Sequence, residues 1–308
     1  MTEMTARRYL AASQNFDKAI AFNKSFKEAY LQDGYASINM RQTDNALRLF
    51  TRVHELDPGN GEANRELMDL YYSYRQYPKA IEYAQKCISC PGAERIIAMS
   101  NFRMEDYGAA VKGLLSVIAK DPKDAEANYM LASSYLEMED NKLAAQYYQK
   151  AIALDGTKNV WMNELGMLYY EINDFKKAVT YLSMAADHGF PQDGVSKENL
   201  GYAYLYSGDY MKGEKVLMDL WSKKPGNKDI LRDMADAFYK LRMYDKSLEY
   251  CQKLLELDAK DGKALYQAGL CFQKKGQKEK GQAMCDNAIK LDPSLTNLKH
   301  KESLEAGL

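Results

Sequence analysis

The chain has 308 residues, 46% of them hydrophobic and 28% charged, with 7 Pro and 19 Gly, a composition that excludes the disordered and fibrous classes and puts the charges on solvated surfaces. Its 42 basic and 43 acidic side chains leave a formal charge of -1, without the basic excess that a phosphate-backbone binder needs, so nucleic acid is not expected as a partner. The length suits two or three ordinary domains, or one repeat array whose core grows by stacking.

The opening segment Met1–Leu10 lacks the apolar core of a signal peptide, and no apolar run is long enough to span a bilayer, so membrane insertion is not expected. Tyr9, Ala12, Phe16 and Ala19 then set an aromatic, a small, a bulky and a small residue at helical spacing, and the Ala-Phe-Val part returns as Ala46, Phe50 and Val53. Too few residues precede Tyr9 to build a partner helix. Residues 1–26 are therefore expected to be half a repeat whose Leu10, Phe16 and Ile20 stay partly uncovered. That reading predicts that the natural protein continues upstream, with a further helix and a leader that would set its compartment, and that the chain can self-associate through this end.

Further along, the small residue recurs as Ala12, Ala46, Ala80, Ala110, Ala144, Ala178, Gly213, Ser247 and Gly281, 34 residues apart except for one step of 30 and one of 35. Twelve residues before each, the first excepted, stands a second slim position: Gly34, Met68, Ala98, Ala132, Gly166, Gly201, Ala235 and Gly269, with Met68 the departure. Apolar residues flank both positions at helical spacing, as in Leu165, Tyr169, Phe175, Leu182 and Ala185, so each unit is two amphipathic helices whose axes cross closely at the small residues. Leu56-Asp57-Pro58, Asp121-Pro122, Lys224-Pro225-Gly226 and Leu291-Asp292-Pro293 end second helices, because proline cannot continue them. Glu139-Asp140-Asn141, Ile172-Asn173-Asp174, Ser207-Gly208-Asp209 and Lys275-Gly276-Gln277 supply the turns within units. One array over 1–308 follows, with repeats near 27–60, 61–90, 91–124, 125–158, 159–193, 194–227, 228–261 and 262–295. Leu295, Leu298 and Leu304 suggest a capping helix over 296–308.

The short step falls at Cys87–Gly92, where one unit is expected to run almost directly into the next; the long step falls at His188–Gly194. Both read as tolerated changes of length. Cys87-x-x-Cys90 could be a redox pair or half of a metal site, but no second CxxC accompanies it and Cys87 sits at a core position, so structural thiols are expected there, as at Cys251 and Cys285. Five cysteines, an odd number, favour a reducing compartment, or the periplasm or exterior if a leader has been removed. His54, His188 and His300 are too far apart for a zinc site, and no phosphate loop or nucleophile motif is present, so no cofactor and no catalytic residue is assigned.

Leu165-Gly166 with Tyr169, Phe175 and Ala178, nearly equalled by Leu200-Gly201, Tyr204, Gly208, Tyr210 and Leu217, resembles the tetratricopeptide repeat family over about residues 1–295. The resemblance implies an all-α, right-handed superhelix of about eight helix-turn-helix units plus an N-terminal half unit and a C-terminal cap. It also implies a concave groove lined by first helices, in which a peptide or partner protein is held. Helical register then puts Arg65, Asp69 and Tyr72 on that face of one unit, Arg95, Met99 and Arg103 on the next, and Tyr129 and Ser133 on the one after. Asn163, Met167 and Tyr170 follow, then Tyr202 and Tyr206, then Arg232, Asp236 and Tyr239, and lastly Tyr266. Tyrosine and arginine are the side chains that most often anchor interfaces. The family's clamp for a C-terminal carboxylate is not expected: only Asn199 fits, and Asp229 and Asp233 stand where its cations belong. The expected function is a non-catalytic protein-binding module. A spacer or oligomerisation scaffold, and a non-catalytic part of a larger enzyme or assembly complex, are the competing readings.

Overall fold

The computed structural model describes residues 2–5 and 7–296, and every regular element among them is a helix. The chain divides into two compact units, Met1–Thr157 and Lys158–Leu308. Unit 1 opens with the single turn α1 (Thr2–Thr5) and α2 (Tyr9–Phe22). Four hairpins follow: α3 (Lys27–Asn39) with α4 (Thr43–Leu56), α5 (Gly61–Ser73) with α6 (Tyr77–Lys86), α7 (Ala93–Arg103) with α8 (Tyr107–Lys120), and α9 (Ala125–Glu137) with α10 (Asn141–Leu154). Unit 2 repeats the scheme with α11 (Asn159–Glu171) and α12 (Phe175–Asp187), α13 (Gly194–Ser207) and α14 (Tyr210–Lys223), α15 (Asp229–Lys240) and α16 (Tyr244–Leu257), and α17 (Gly262–Lys274) and α18 (Lys278–Leu291). A 3-10 turn at Pro293–Leu295 packs Leu295 into the last hairpin. The rest of the expected cap, with Leu298 and Leu304, lies outside the described residues.

Each hairpin closes by the same local device. One residue adopts the left-handed conformation: Arg41 (φ 59°), Arg75 (58°), Glu105 (63°) and Glu139 (61°) in unit 1, and Asn173 (61°), Gly208 (98°), Arg242 (59°) and Gly276 (84°) in unit 2. The next amide then bonds to the carbonyl five residues back, as Asp140 does to Tyr135 at 2.9 Å and Asp174 to Tyr169 at 2.9 Å, which satisfies the end of the first helix. The carboxylates of Asp106, Asp140, Asp174 and Asp209 accept from the third amide of the following helix and so begin the second one. One dipeptide thus ends one helix and starts another.

The small residues sit where the two helices of a hairpin meet. A Cβ on Gly213 would lie 2.7 Å from the Gly201 carbonyl oxygen, so this crossing has no room for a larger side chain. Elsewhere bulk is admitted: Met68 is buried in one cluster with Phe50, Leu67, Ala80 and Ala84, where alanines leave the space that a glycine leaves elsewhere.

The 30-residue step is built differently from the expectation of two units running together. A six-residue connection, 87–92, separates them, and the residues are lost from the helices: α6 has 10 residues and α7 has 11, against 14 in α8 and 13 in α9. Cys87 and Cys90 lie on this connection with their Cα atoms 5.3 Å apart, and the two are joined in a disulfide. That corrects the reading of both as thiols. Cys251, Cys271 and Cys285 are buried thiols outside any disulfide, and burial pushes the Cys251 thiol up to about 12. At the long step, Asp193 caps α13 through the Ser196 amide at 2.8 Å, and Asn159 donates to the His188 carbonyl at 2.9 Å.

On α2 only Ala12 is fully buried; Leu10 and Phe22 are exposed and Phe16 and Ile20 half-buried, while Arg8 pairs with Glu3 of α1 at 2.7 Å.

Candidate functional site: the faces of the first helices

Within a hairpin, the first helix packs its apolar side on the second helix and touches the first helix of the next hairpin, as α5 does α7 and α13 does α15. Its remaining side carries the sequence candidates. The contact between first helices decides which of them stay accessible.

In unit 1, Arg65, Asp69 and Tyr72 follow one another along α5. Arg65 pairs with Glu66 at 2.9 Å. Asp69 is exposed; the surrounding protein and the Glu66 charge push its pKa up against the pull of Arg65. The Tyr72 ring lies 5.6 Å from that of Tyr77, and its hydroxyl accepts from Arg103, which raises the guanidinium pKa. Arg95 donates from Nε to Asp124 and from Nη2 to Glu126, both at 2.7 Å, so it ties α7 to the start of α9. Those bonds hold the guanidinium charged and pull Asp124 below the usual carboxylate range, although burial opposes both effects. Tyr129 lies edge-on to Tyr148 at 5.9 Å, and the Tyr148 hydroxyl is 3.1 Å from that of Ser133. The cations of this face are thus spent on the protein's own side chains, and Met99 is buried.

In unit 2, Asn163, Met167 and Tyr170 on α11 are half-buried, and burial pushes the Tyr170 phenol up to about 12. Tyr170 meets Phe175 edge-on at 5.4 Å, and Phe175 stacks on Tyr206 at 4.9 Å. On α13, Glu198, Tyr202 and Tyr206 are four residues apart and share one face. On α15, Asp229, Asp233 and Asp236, spaced by four and then three residues, also share a face. Burial raises the Glu198 pKa and so do Asp233 and Asp229; burial, Asp229 and Asp236 raise that of Asp233, with Arg232 and Lys240 opposing. Arg232 is committed to Asp261 at 2.9 Å and Lys240 to Asp236 at 2.6 Å. Tyr239 lies 5.6 Å from Tyr244.

Besides Met99, two tyrosines read as exposed are buried. Tyr202 is 8% exposed and packs with Leu205, Leu217 and Leu231; Tyr266 is 4% exposed and packs with Cys285, Ala288 and Leu295. Both clusters include second-helix residues, Leu217 of α14 and Cys285 and Ala288 of α18, so neighbouring elements close over these two rings. The structure brings Tyr170, Tyr202, Tyr206 and Asp236 into one patch, and Arg65, Asp69, Tyr72 and Arg103 into another. Glu198 and Phe175 belong to the first patch and were not chosen. The position of Glu198 four residues before Tyr202 was the available signal, whereas Phe175 lies on a second helix and gave none.

Among the described residues no group of three or more His, Cys, Asp or Glu is placed to hold a metal ion, and no helix is long and apolar enough to cross a membrane. Stacked helical hairpins with a periodic left-handed turn and side chains arrayed on their first helices define an all-α repeat protein. Three family models, each described as tetratricopeptide repeat, match residues 37–86, 97–159 with 198–264, and 262–295. The chain belongs to the tetratricopeptide repeat family. It is similar to Protein CTR9 homolog of Arabidopsis thaliana, 21% identical over 85% of this chain and 28% of that protein. It is also similar to Type IV pilus assembly protein PilF of Pseudomonas aeruginosa, 28% identical over 42% of this chain and 52% of that protein. Among solved structures, a MamA RS-1 ArsTM double mutant superposes with a TM-score of 0.50 at 19% identity, over 54% of this chain and 96% of that one, which shows a common fold. The chain spans less than a third of the length of curated relatives such as the CTR9 homolog.

Proposed function

We propose that this chain is a non-catalytic protein-binding module that holds an extended peptide or a partner's loop along the face of its first helices. Family membership supports a protein-interaction or scaffold role in general. The observation that carries the finer reading is the half-buried tyrosine that recurs on five of the first helices: Tyr72 on α5, Tyr129 on α9, Tyr170 on α11, Tyr206 on α13 and Tyr239 on α15. Such rings offer large contact area with a polar tip and little rotamer entropy to lose. The test is a titration of a partner captured by the full chain against Tyr170→Ala with Tyr206→Ala, two positions that are only half-buried. Loss of about 1 to 4 kcal/mol of binding with helicity kept is expected; unchanged affinity would move the site to the second helices or an edge.

The apolar face of α2 favours a second reading, self-association through that helix, because Leu10 is 64% and Phe22 97% exposed. Light scattering on the full chain, with and without Leu10→Ser and Phe22→Ser, checks it. A monomer at every concentration removes it.

A further inference from the structure

We propose that the patch formed by α11, α13 and α15 of unit 2 is a cradle for an arginine side chain of a basic partner peptide. The inference rests on the first-helix face being the binding face and adds the chemistry of its occupant.

The charge count on this patch is unbalanced. Glu198, Asp229, Asp233 and Asp236 face Arg232 and Lys240, and Arg232 gives its shortest bond, at 2.9 Å, to Asp261 outside the patch. Asp236 is answered by Lys240, and Asp229 only weakly by Arg232 at 3.7 Å. No cation lies within ion-pair distance of Glu198 or Asp233 among the described residues.

A second, independent observation points the same way. Tyr202 is 8% exposed, and its hydroxyl oxygen is buried with no hydrogen-bond partner among the described residues. Burying an unmet hydroxyl costs free energy, and a hydrogen-bonding group that reached it from a partner would recover that cost. A cationic donor suits this place, because the phenol oxygen can accept and Asp233 and Glu198, the charges that act on that hydroxyl, attract positive charge. The Tyr170 and Tyr206 rings, bridged by Phe175, offer π faces beside them. One planar guanidinium with five N–H donors answers all three needs: it stacks on a ring, pairs with a carboxylate and donates to a phenol oxygen. A carboxylate-bearing peptide would meet repulsion in the same place, and a bare metal ion would find no use for the rings.

The test measures fluorescence anisotropy of labelled, end-capped octapeptides of Gly-Arg, Gly-Lys and Gly-Glu repeats with the full chain at low salt. Saturable binding of the Gly-Arg peptide, weaker binding of Gly-Lys and none of Gly-Glu are expected. Glu198→Gln with Asp233→Asn, both isosteric, should weaken Gly-Arg binding at least about tenfold, and Tyr202→Phe, which keeps the ring and the core, by about three- to tenfold. Glu55→Gln with Glu82→Gln, exposed on the second helices α4 and α6 of unit 1, serves as the control for general acidity and should leave affinity unchanged. Equal affinity of wild type and the Glu198/Asp233 variant, or an equal loss in the unit 1 control, would overturn the proposal. If a captured partner is lost on Tyr170→Ala with Tyr206→Ala while the Gly-Arg peptide never binds, the cation reading alone falls. A partner indifferent to those tyrosines removes the binding-face reading itself.

Discussion

The first-helix faces of the two units share a fold and a tyrosine-rich composition, yet they handle charge in opposite ways. In unit 1, Arg95 bridges Asp124 and Glu126, Arg65 holds Glu66, and Arg103 bonds Tyr72, so these three arginines are engaged within the protein. In unit 2, Glu198 and Asp233 stand beside the buried Tyr202 hydroxyl with no cation of their own. A face whose charges are already paired gains little from a charged visitor, because binding only exchanges one partner for another. A face that keeps carboxylates crowded and unpaired is less stable alone and gains more when a cation arrives.

The largest expected effect concerns the tyrosines. Tyr202→Ala opens a cavity among Leu205, Leu217 and Leu231 and should cost the α13–α15 region about 3 kcal/mol or more, whereas half-buried Tyr72→Ala on α5 should cost about 1 kcal/mol. Hydrogen exchange resolved by helix reads the two regions separately, as is needed for a chain of two units. Equal losses would mean that burial does not distinguish the faces.

A smaller effect of opposite sign separates the charges. Arg95→Ala strands Asp124 and should destabilise the α7–α9 contact by about 1 kcal/mol, after discounting for the exposure of the pair. Asp233→Asn removes an uncompensated charge and should stabilise the α13–α15 region by a few tenths of a kcal/mol, to about 1 kcal/mol at most. Thermal melts of the two variants should shift in opposite directions, and a loss of stability in Asp233→Asn would show that this carboxylate has a hidden partner.

The smallest effect is on pH. Glu198 and Asp233 have folded pKa values above their unfolded ones, so the stability they contribute is fully present below the unfolded value, about 4, and is lost as pH rises through the folded value. Asp124 is held below its unfolded value, so its contribution is present above about 4 and is lost as pH falls through the folded one. Mild acidification towards that range should tighten the α13–α15 face while the Arg95 bridge stays intact. Carboxyl carbon shifts followed by NMR should titrate Glu198 and Asp233 above, and Asp124 below, their ordinary values. Asp69 shares the upward direction despite lying in unit 1, so α5 should follow unit 2 in this experiment.

The helical hairpins were legible from residue spacing because a repeat that buries its apolar side only on its neighbours must keep the same small and bulky positions at a fixed period. The turn was half legible. The aspartates that begin second helices stood out, but a left-handed Arg41, Arg75 or Glu105 carries no glycine or asparagine signature, and only the closing bond to the carbonyl five residues back imposes that conformation. The shortening of α6 was hidden because a period reports how many residues are missing and not which element lost them. The sequence by itself determined which residues share one face of each helix, since that follows from 3.6 residues per turn acting within one helix. Only the tertiary structure decided that Tyr202 and Tyr266 are covered, that Arg95 is already bound, and that Glu198 and Asp233 are not. Those outcomes depend on side chains about 30 residues apart meeting between helices, which no periodicity within a helix encodes.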